Sequence, residues 1–253
     1  MSEPIVSSLA KALRVLECFT VSEPELGVTE ISKKLGIGKS NAHNIISTYC
    51  QMGYLQQLPN RKYTLGYKLL EHAFIINQHL GYPHAVYDLL LEAAERTGQV
   101  VYFGIPYETD VLYLYVAHPI ARMKELPYRE ICGEHAPLCT TGIGKAILAN
   151  LPPEEWLSRL PEIIPAHTPQ TITDKDKILQ ELQRTRERGF AIDNREHELN
   201  VRCVGVPVYN ARGALVAGIS SSGAVQVMTD RKVMECADIL MGITQRIKER
   251  LYA

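Results

Sequence analysis

The sequence predicts an α+β fold in two parts, on three observations. Between Val28 and Leu55, two short amphipathic helices flank the turn Gly36, Ile37, Gly38. A two-strand pattern, YLQQLPNRKYTLG, follows them. Beyond Gly81, β-branched and aromatic runs mix with helical periods without strict alternation, which favours a mostly antiparallel sheet. A chain of 253 residues, 46% hydrophobic and 22% charged, has room for one large domain or two modest ones and is not mainly disordered.

Ser7 to Val21 carries Leu9, Ala12, Leu13, Leu16 and Phe19 at helical spacing, and Ser22, Glu23, Pro24 stop it. Val28 to Leu35 reads as a short helix with Ile31 and Leu35 inward, Thr29 as its cap and Gly36 as its end. The next helix places Ala42, Ile45, Ile46, Tyr49 and Cys50 at i, i+3, i+4, i+7 and i+8, one buried stripe. Two short helices joined by a Gly-containing turn form the helix-turn-helix pattern. Alternation around Pro59 and Asn60 adds a hairpin, making a winged helix-turn-helix. Gly66 to Leu80 returns to helix, with Leu69, Leu70, Ala73, Phe74 and Ile76 apolar, until Gly81, Tyr82, Pro83 interrupt it. The expected boundaries are 1–66 for the winged helix, 67–82 for a linker helix and 83–253 for the second domain.

In that second domain Val86 to Thr97 is helical, and Gln99 to Pro106 and Asp110 to His118 are strands about the turn Tyr107, Glu108, Thr109. Helices follow over Thr141 to Leu151, Glu154 to Leu160 and Asp174 to Arg188. Arg202 to Tyr209 and Ala214 to Ser222 form a hairpin across Asn210 to Gly213, and Thr229 to Leu251 closes the chain as a helix. No internal repeat or low-complexity segment is present.

Overall charge is near zero, 27 basic against 28 acidic residues, which argues against a wholly basic nucleic-acid binder. From Leu26 to Lys68, however, Lys33, Lys34, Lys39, Arg61, Lys62 and Lys68 face one acid, Glu30, the asymmetry expected when a single module touches phosphate. The six cysteines contain no CxxC pair, and neither a basic leader nor an apolar signal core opens the chain, so a reducing, cytoplasmic setting with free thiols is expected. No apolar run approaches the roughly eighteen residues that cross a bilayer, and no membrane contact is expected.

Opposite the stripe of the helix after Gly38 lie Lys39, Ser40, Asn41, His43, Asn44, Ser47 and Thr48. Such groups bond phosphate oxygens and base edges, and Asn can pair bidentately with adenine. Lys39 supplies phosphate charge, while Arg61 and Lys62 stand at the wing tip, in reach of the backbone or minor groove. Alone, a polar helix face is ordinarily just solvated. The partner helix, tight turn, wing and local charge together favour a reader of double-stranded DNA. One module with so few cations is too weak by itself, so a dimer on a two-part site is expected.

Thr140, Thr141, Gly142, Ile143 and Gly144 begin a helix, whose free amides favour an anion, and the small Gly142 would let a ligand approach the backbone; a tight helix start serving packing alone is the competing reading. If Tyr209 pairs with Ala214, Cys203 lies opposite Ser220 and Val201 near Ser222, which puts Cys203, Ser220 and Ser222 on one sheet face. Two hydroxyls and a thiol there are costly unless a small polar ligand or ordered water bonds them.

The blocks TEISKKLGIGKSNAHNII, KYTLGYKLLE, APLCTTGIGKAILANL, GFAIDNREHELNVRCVGVPV and AGISSSG, in this order and spacing, resemble the IclR family of bacterial transcriptional regulators along nearly the whole chain. The resemblance implies a winged helix-turn-helix, a linker helix, a GAF-like effector domain, and homodimers or homotetramers on palindromic operators. It carries effector positions onto Gly142 and Ile143 (amides to a carboxylate), Asp193 (acceptor for a ligand hydroxyl), Cys203, Ser220 and Ser222; Cys139, Thr141 and Val201, beside them in the helix start and the hairpin, complete the candidate set. No Lys or Arg is among them, which points to a small hydroxylated carboxylate, a sugar acid or 2-oxo acid. The chain departs from relatives at Asn44, where many have Arg, and at Cys139 and Thr140, often His and Ala. No cofactor is implied.

Two other readings compete. Cys132, His135 and Cys139, with Cys203 nearby, are zinc-ligand types, although the spacing matches no common finger. A thiol-dependent enzyme would use Cys203 as nucleophile with His197 and Asp193 as base and orienter. No motif explains a substrate for it, so no enzymatic activity is expected.

Overall fold

The computed structural model describes residues 4–122 and 131–251, in two compact units, 1–80 and 81–253. In the first unit α1 (Ser7–Glu17), α2 (Val28–Leu35) and α3 (Lys39–Met52) precede a small antiparallel pair, β1 (Leu55–Gln57) and β2 (Tyr63–Leu65), then α4 (Lys68–Leu80). Gly36 ends α2 in the left-handed conformation, the geometry that the tight turn into α3 requires. Thr29 is not the cap of α2. Gly27 occupies that position, and the Glu30 carboxylate reaches back to accept its N–H at 2.6 Å.

The stripe of α3 faces inward as its period requires: Ala42 and Ile46 are fully buried, and Ile45, Tyr49 and Cys50 pack partly buried against the same core. The face of α1 differs from expectation. Phe19 enters the core and Leu16 packs against it as the spacing predicts, but Val15 and Cys18 join them, whereas Leu9 and Leu13 are exposed. Two apolar stripes compete on that helix, and packing against α2 and α3 selects the C-terminal one.

In the second unit a six-stranded antiparallel sheet has the order β5-β4-β3-β8-β7-β6. Its strands are β3 (Val100–Tyr107), β4 (Asp110–Ala117), β5 (His135–Pro137), β6 (Ala191–Asn194), β7 (Val201–Tyr209) and β8 (Leu215–Ala224). Helices α5 (Tyr82–Thr97) and α8 (Asp230–Arg250) pack on one face, and α6 (Gly142–Asn150) and α7 (Lys175–Arg188) on the other. Among the described residues no helix is long and apolar enough to cross a membrane.

Three expectations are corrected here. Helix α5 begins at Tyr82, because Pro83 sits in its first turn, where a missing N–H breaks no helical bond; the interruption is Gly81 alone. The helix expected over Glu154 to Leu160 is two 3-10 turns, Pro153–Glu155 and Leu157–Arg159, which bury Trp156 and Leu160. The β7–β8 register is displaced by two residues. Tyr209 pairs with Leu215 and a bulge follows between Val208 and Tyr209, so Cys203 lies opposite Ser222, and Val201 opposite Ala224. A two-residue shift preserves sidedness, so Cys203, Ser220 and Ser222 still share a face.

Candidate functional site

On α3, Lys39, Ser40, Asn41, His43, Asn44 and Thr48 are all exposed, presented on one side of a helix whose other side is locked in the core. At the wing tip Arg61 takes a left-handed φ of 64°, in a loop closed by Leu58 and Lys62. Part of the local positive charge is already matched: Lys34 pairs with Glu23, Lys62 with Glu30 at 3.4 Å, and Lys68 with Glu71. These pairs are solvent-exposed, so exchanging a carboxylate for a phosphate costs little.

The second unit contains a cavity of about 370 Å³ against the α6 face of the sheet. Its floor is a row across three strands, Asp193 on β6, Cys203 on β7 and Ser222 on β8, in register with one another; Ser220 and Tyr102 form the next row. Ser222 Oγ donates to Cys203 Sγ at 2.8 Å. Helix α6 brings its first turn to the wall. Thr141 caps it, accepting the Gly144 N–H at 3.0 Å and donating to the Pro137 carbonyl at 3.0 Å. The first amides of a helix have no partner within it, and the two residues that carry them here, Gly142 and Ile143, line the cavity.

The glycines here serve packing. A Cβ on Gly205 would stand 2.2 Å from the Gly142 carbonyl oxygen, and one on Gly142 would stand 3.1 Å from Cys203 Cβ. Gly142 is therefore small because β7 lies against it, and the opening it leaves toward a ligand is a by-product of that contact.

Asp193 is 2% exposed. Its Oδ1 accepts the backbone N–H groups of Glu196 at 2.7 Å and His197 at 3.4 Å. Burial outweighs those bonds and pushes its pKa up to about 7. Cys203 is likewise raised well above the usual thiol value, chiefly by burial and then by the neighbouring Asp193.

Of the nine effector candidates, Thr141, Gly142, Ile143, Asp193, Val201, Cys203, Ser220 and Ser222 line this cavity. Cys139 does not. It is buried in the α6–α7 core beside Val111 and Leu138, because the turn into α6 directs it away from the sheet. Sequence reasoning missed the aromatic wall, Tyr102 and Tyr113, and the histidine His118, and it read His135 only as a zinc-ligand type. It also missed Lys145, fully buried on α6 and paired at 2.6 Å with Glu196 on the loop that follows Asp193. A lysine inside the otherwise apolar GIGKAILAN was the available signal, since a fully buried Lys is almost always paired.

Neither competing reading is assembled. Among the described residues no group of three or more His, Cys, Asp or Glu could hold a metal, and Cys132 is exposed while Cys139 is in the core. The ring Nδ1 of His197 lies 3.3 Å from Thr140 Oγ1, the Asp193 carboxylate holds the His197 backbone N–H, and burial raises the Cys203 thiol, which disfavours the thiolate that a nucleophile needs.

Residues 80–249 match the family described as bacterial transcriptional regulator IclR C-terminal, and residues 8–59 match the IclR helix-turn-helix domain. The chain belongs to the IclR family. It is 32% identical over 232 residues to the HTH-type transcriptional regulator XynR of Escherichia coli, covering 91% of each chain. The crystal structure of the Thermotoga maritima IclR superposes with a TM-score of 0.77 at 29% identity, over 97% of this chain and 98% of that one. An IclR homologue from Microbacterium hydrocarbonoxydans, solved in complex with 4-hydroxybenzoate, shares the fold with a TM-score of 0.82 at 21% identity, over 96% and 99%. The protein is thus a DNA-binding, effector-binding transcriptional regulator of the IclR type, from a family of regulators and not of enzymes.

Proposed function

We propose that a small hydroxylated monocarboxylate, seated in the cavity of the second unit, controls binding of this regulator to a palindromic operator. The observation that carries this is the donor and acceptor set of the cavity. Helix-terminal amides of Gly142 and Ile143 suit a carboxylate, Asp193 and the Ser220 and Ser222 hydroxyls suit ligand hydroxyls, and no Lys or Arg is among the described lining residues. The homologue bound to 4-hydroxybenzoate supports the chemistry, a hydroxylated acid in this fold.

In the DNA-reading unit, Ser40, Asn41, His43, Asn44 and Thr48 are assigned to bases and phosphates, with Lys39, Arg61 and Lys62 on the backbone. Leu9 and Leu13 on α1, and Leu70, Phe74, Ile75 and Ile76 on α4, are large exposed apolar residues, which supports a homodimer or homotetramer that covers them. The acid shifts the spacing of two recognition helices, with Tyr67 to Leu80 transmitting the change, only as far as it binds one conformation better than the other.

A thermal-shift screen of short hydroxylated and 2-oxo acids tests the first step, since a ligand at about 100 times its Kd stabilises by about 2.7 kcal/mol. Fluorescence anisotropy on operator DNA tests the second. Operator affinity unchanged by every acid at saturation would overturn the proposal.

A further inference from the structure

The inference here rests on the acid reading and concerns the charge state in which the acid is held. Gly142, whose amide opens α6 beside that of Ile143, and Asp193 flank the same residue, Cys203. Asp193 is its register partner on β6, and Gly142 lies against its Cβ from the helix side. An effector carboxylate on those amides is therefore one side chain away from a second, almost fully buried carboxyl. Two carboxylates that close in a site with little water do not both stay ionised, and one of them is held protonated.

We propose that Asp193 is held as a neutral carboxyl beside the effector's carboxylate, one proton being taken up from solvent as the ligand binds.

The groups around Asp193 favour this outcome. From α6, Lys145 faces it as a cation, but Glu196 already neutralises that charge at 2.6 Å. Cys203 on β7 and Tyr113 on β4 are both pushed upward by burial and stay neutral. Glu198 on the loop and Glu134 beside β5 add carboxylates to the cavity wall. Both backbone donors go to Oδ1. Burial, set against the two backbone N–H bonds and the Lys145 charge, brings Asp193 to about 7 before any anion arrives, and an anion moves it further in the same direction. The histidines His118, His135 and His197 at the cavity are the other groups that could take up a proton beside an anion, and the test separates them.

The experiment is isothermal titration calorimetry on the full chain, in buffers of different ionisation heat. The probe is whichever acid the thermal-shift panel selects, gluconate and 4-hydroxybenzoate included. Above the Asp193 pKa, at about pH 8, uptake of about one proton per site is expected, with Kd weakening roughly tenfold per pH unit. At about pH 6, where Asp193 already carries its proton, uptake should fall toward zero. Asp193→Asn should remove the uptake and flatten the pH profile. Acid binding without uptake at the higher pH, or uptake that persists in Asp193→Asn, overturns this inference alone, the latter assigning the proton to a histidine. If no acid in the panel binds, the acid reading fails and takes this inference with it.

Discussion

Replacing Lys145 by Met isolates the buried ion pair that ties α6 to the loop beneath the cavity. Lys145 is fully buried and Glu196 is 5% exposed, with Nζ and Oε1 2.6 Å apart. Glu196 Oε1 also accepts the Asn194 N–H at 3.3 Å, and its buried Oε2 has no partner among the described residues. Met preserves most of the side-chain length, so the main loss is the counter-charge. Removing one partner from a buried pair costs roughly 3–5 kcal/mol, since the survivor stays desolvated. For a unit of this size each kcal/mol moves Tm by roughly 2–4 °C, which gives a fall of roughly 6–20 °C. Removing both charges, with Lys145→Met and Glu196→Leu together, should restore most of that stability, because an apolar pair of similar volume needs no counter-ion. Calorimetric unfolding of the two single variants and the double variant at neutral pH measures this. A single variant within about 1 kcal/mol of the parent, or a double variant no more stable than the singles, would refute the reasoning.

Four further outcomes are expected. Because Asp193 is raised in the folded chain, the native state holds its proton after the unfolded chain has lost it. Stability should therefore fall by roughly 4 kcal/mol as pH rises from about 4 through about 7, and Asp193→Asn should lose this fall, as read by urea unfolding across that range. Gly205→Ala puts a methyl 2.2 Å from the Gly142 carbonyl oxygen and 2.7 Å from the Ile143 nitrogen, so the start of α6 must retreat. A loss of roughly 1–3 kcal/mol is expected by urea unfolding, with weaker effector binding by calorimetry; an unchanged denaturation midpoint and Kd would contradict the packing described. On DNA, Asn44→Ala should cost about 1–3 kcal/mol on the cognate operator and little on mismatched DNA. Arg61→Ala should weaken all sequences alike and lower the salt slope by about 1, both read by anisotropy over a salt series.

Much of the architecture is legible in local pattern. The α3 stripe, the left-handed Gly36 and the apolar periods of α8 each follow from neighbours a few residues away. What escaped is short or distant. Strands β5 and β6, three and four residues long, are too brief for a period to show, and they exist because β4 and β7 offer them an edge. The β7–β8 register depended on a bulge that no residue announces, although the two-residue displacement left the face of Cys203 and both serines intact.

The candidate site divides in the same way. Residue chemistry and the period of two along a strand suffice to gather Cys203, Ser220 and Ser222 on one face, and the pattern at Thr141 and Gly142 suffices for a helix start with free amides. Only the folded chain brings that start against Cys203, turns Cys139 into the core, and pairs Lys145 with Glu196, 51 positions away. Periodicity is a property of adjacent residues and is written along the chain. Burial and the charge state of Asp193 are properties of a neighbourhood assembled from β6, β7, α6 and a loop, and they take their values only when those elements exclude water together.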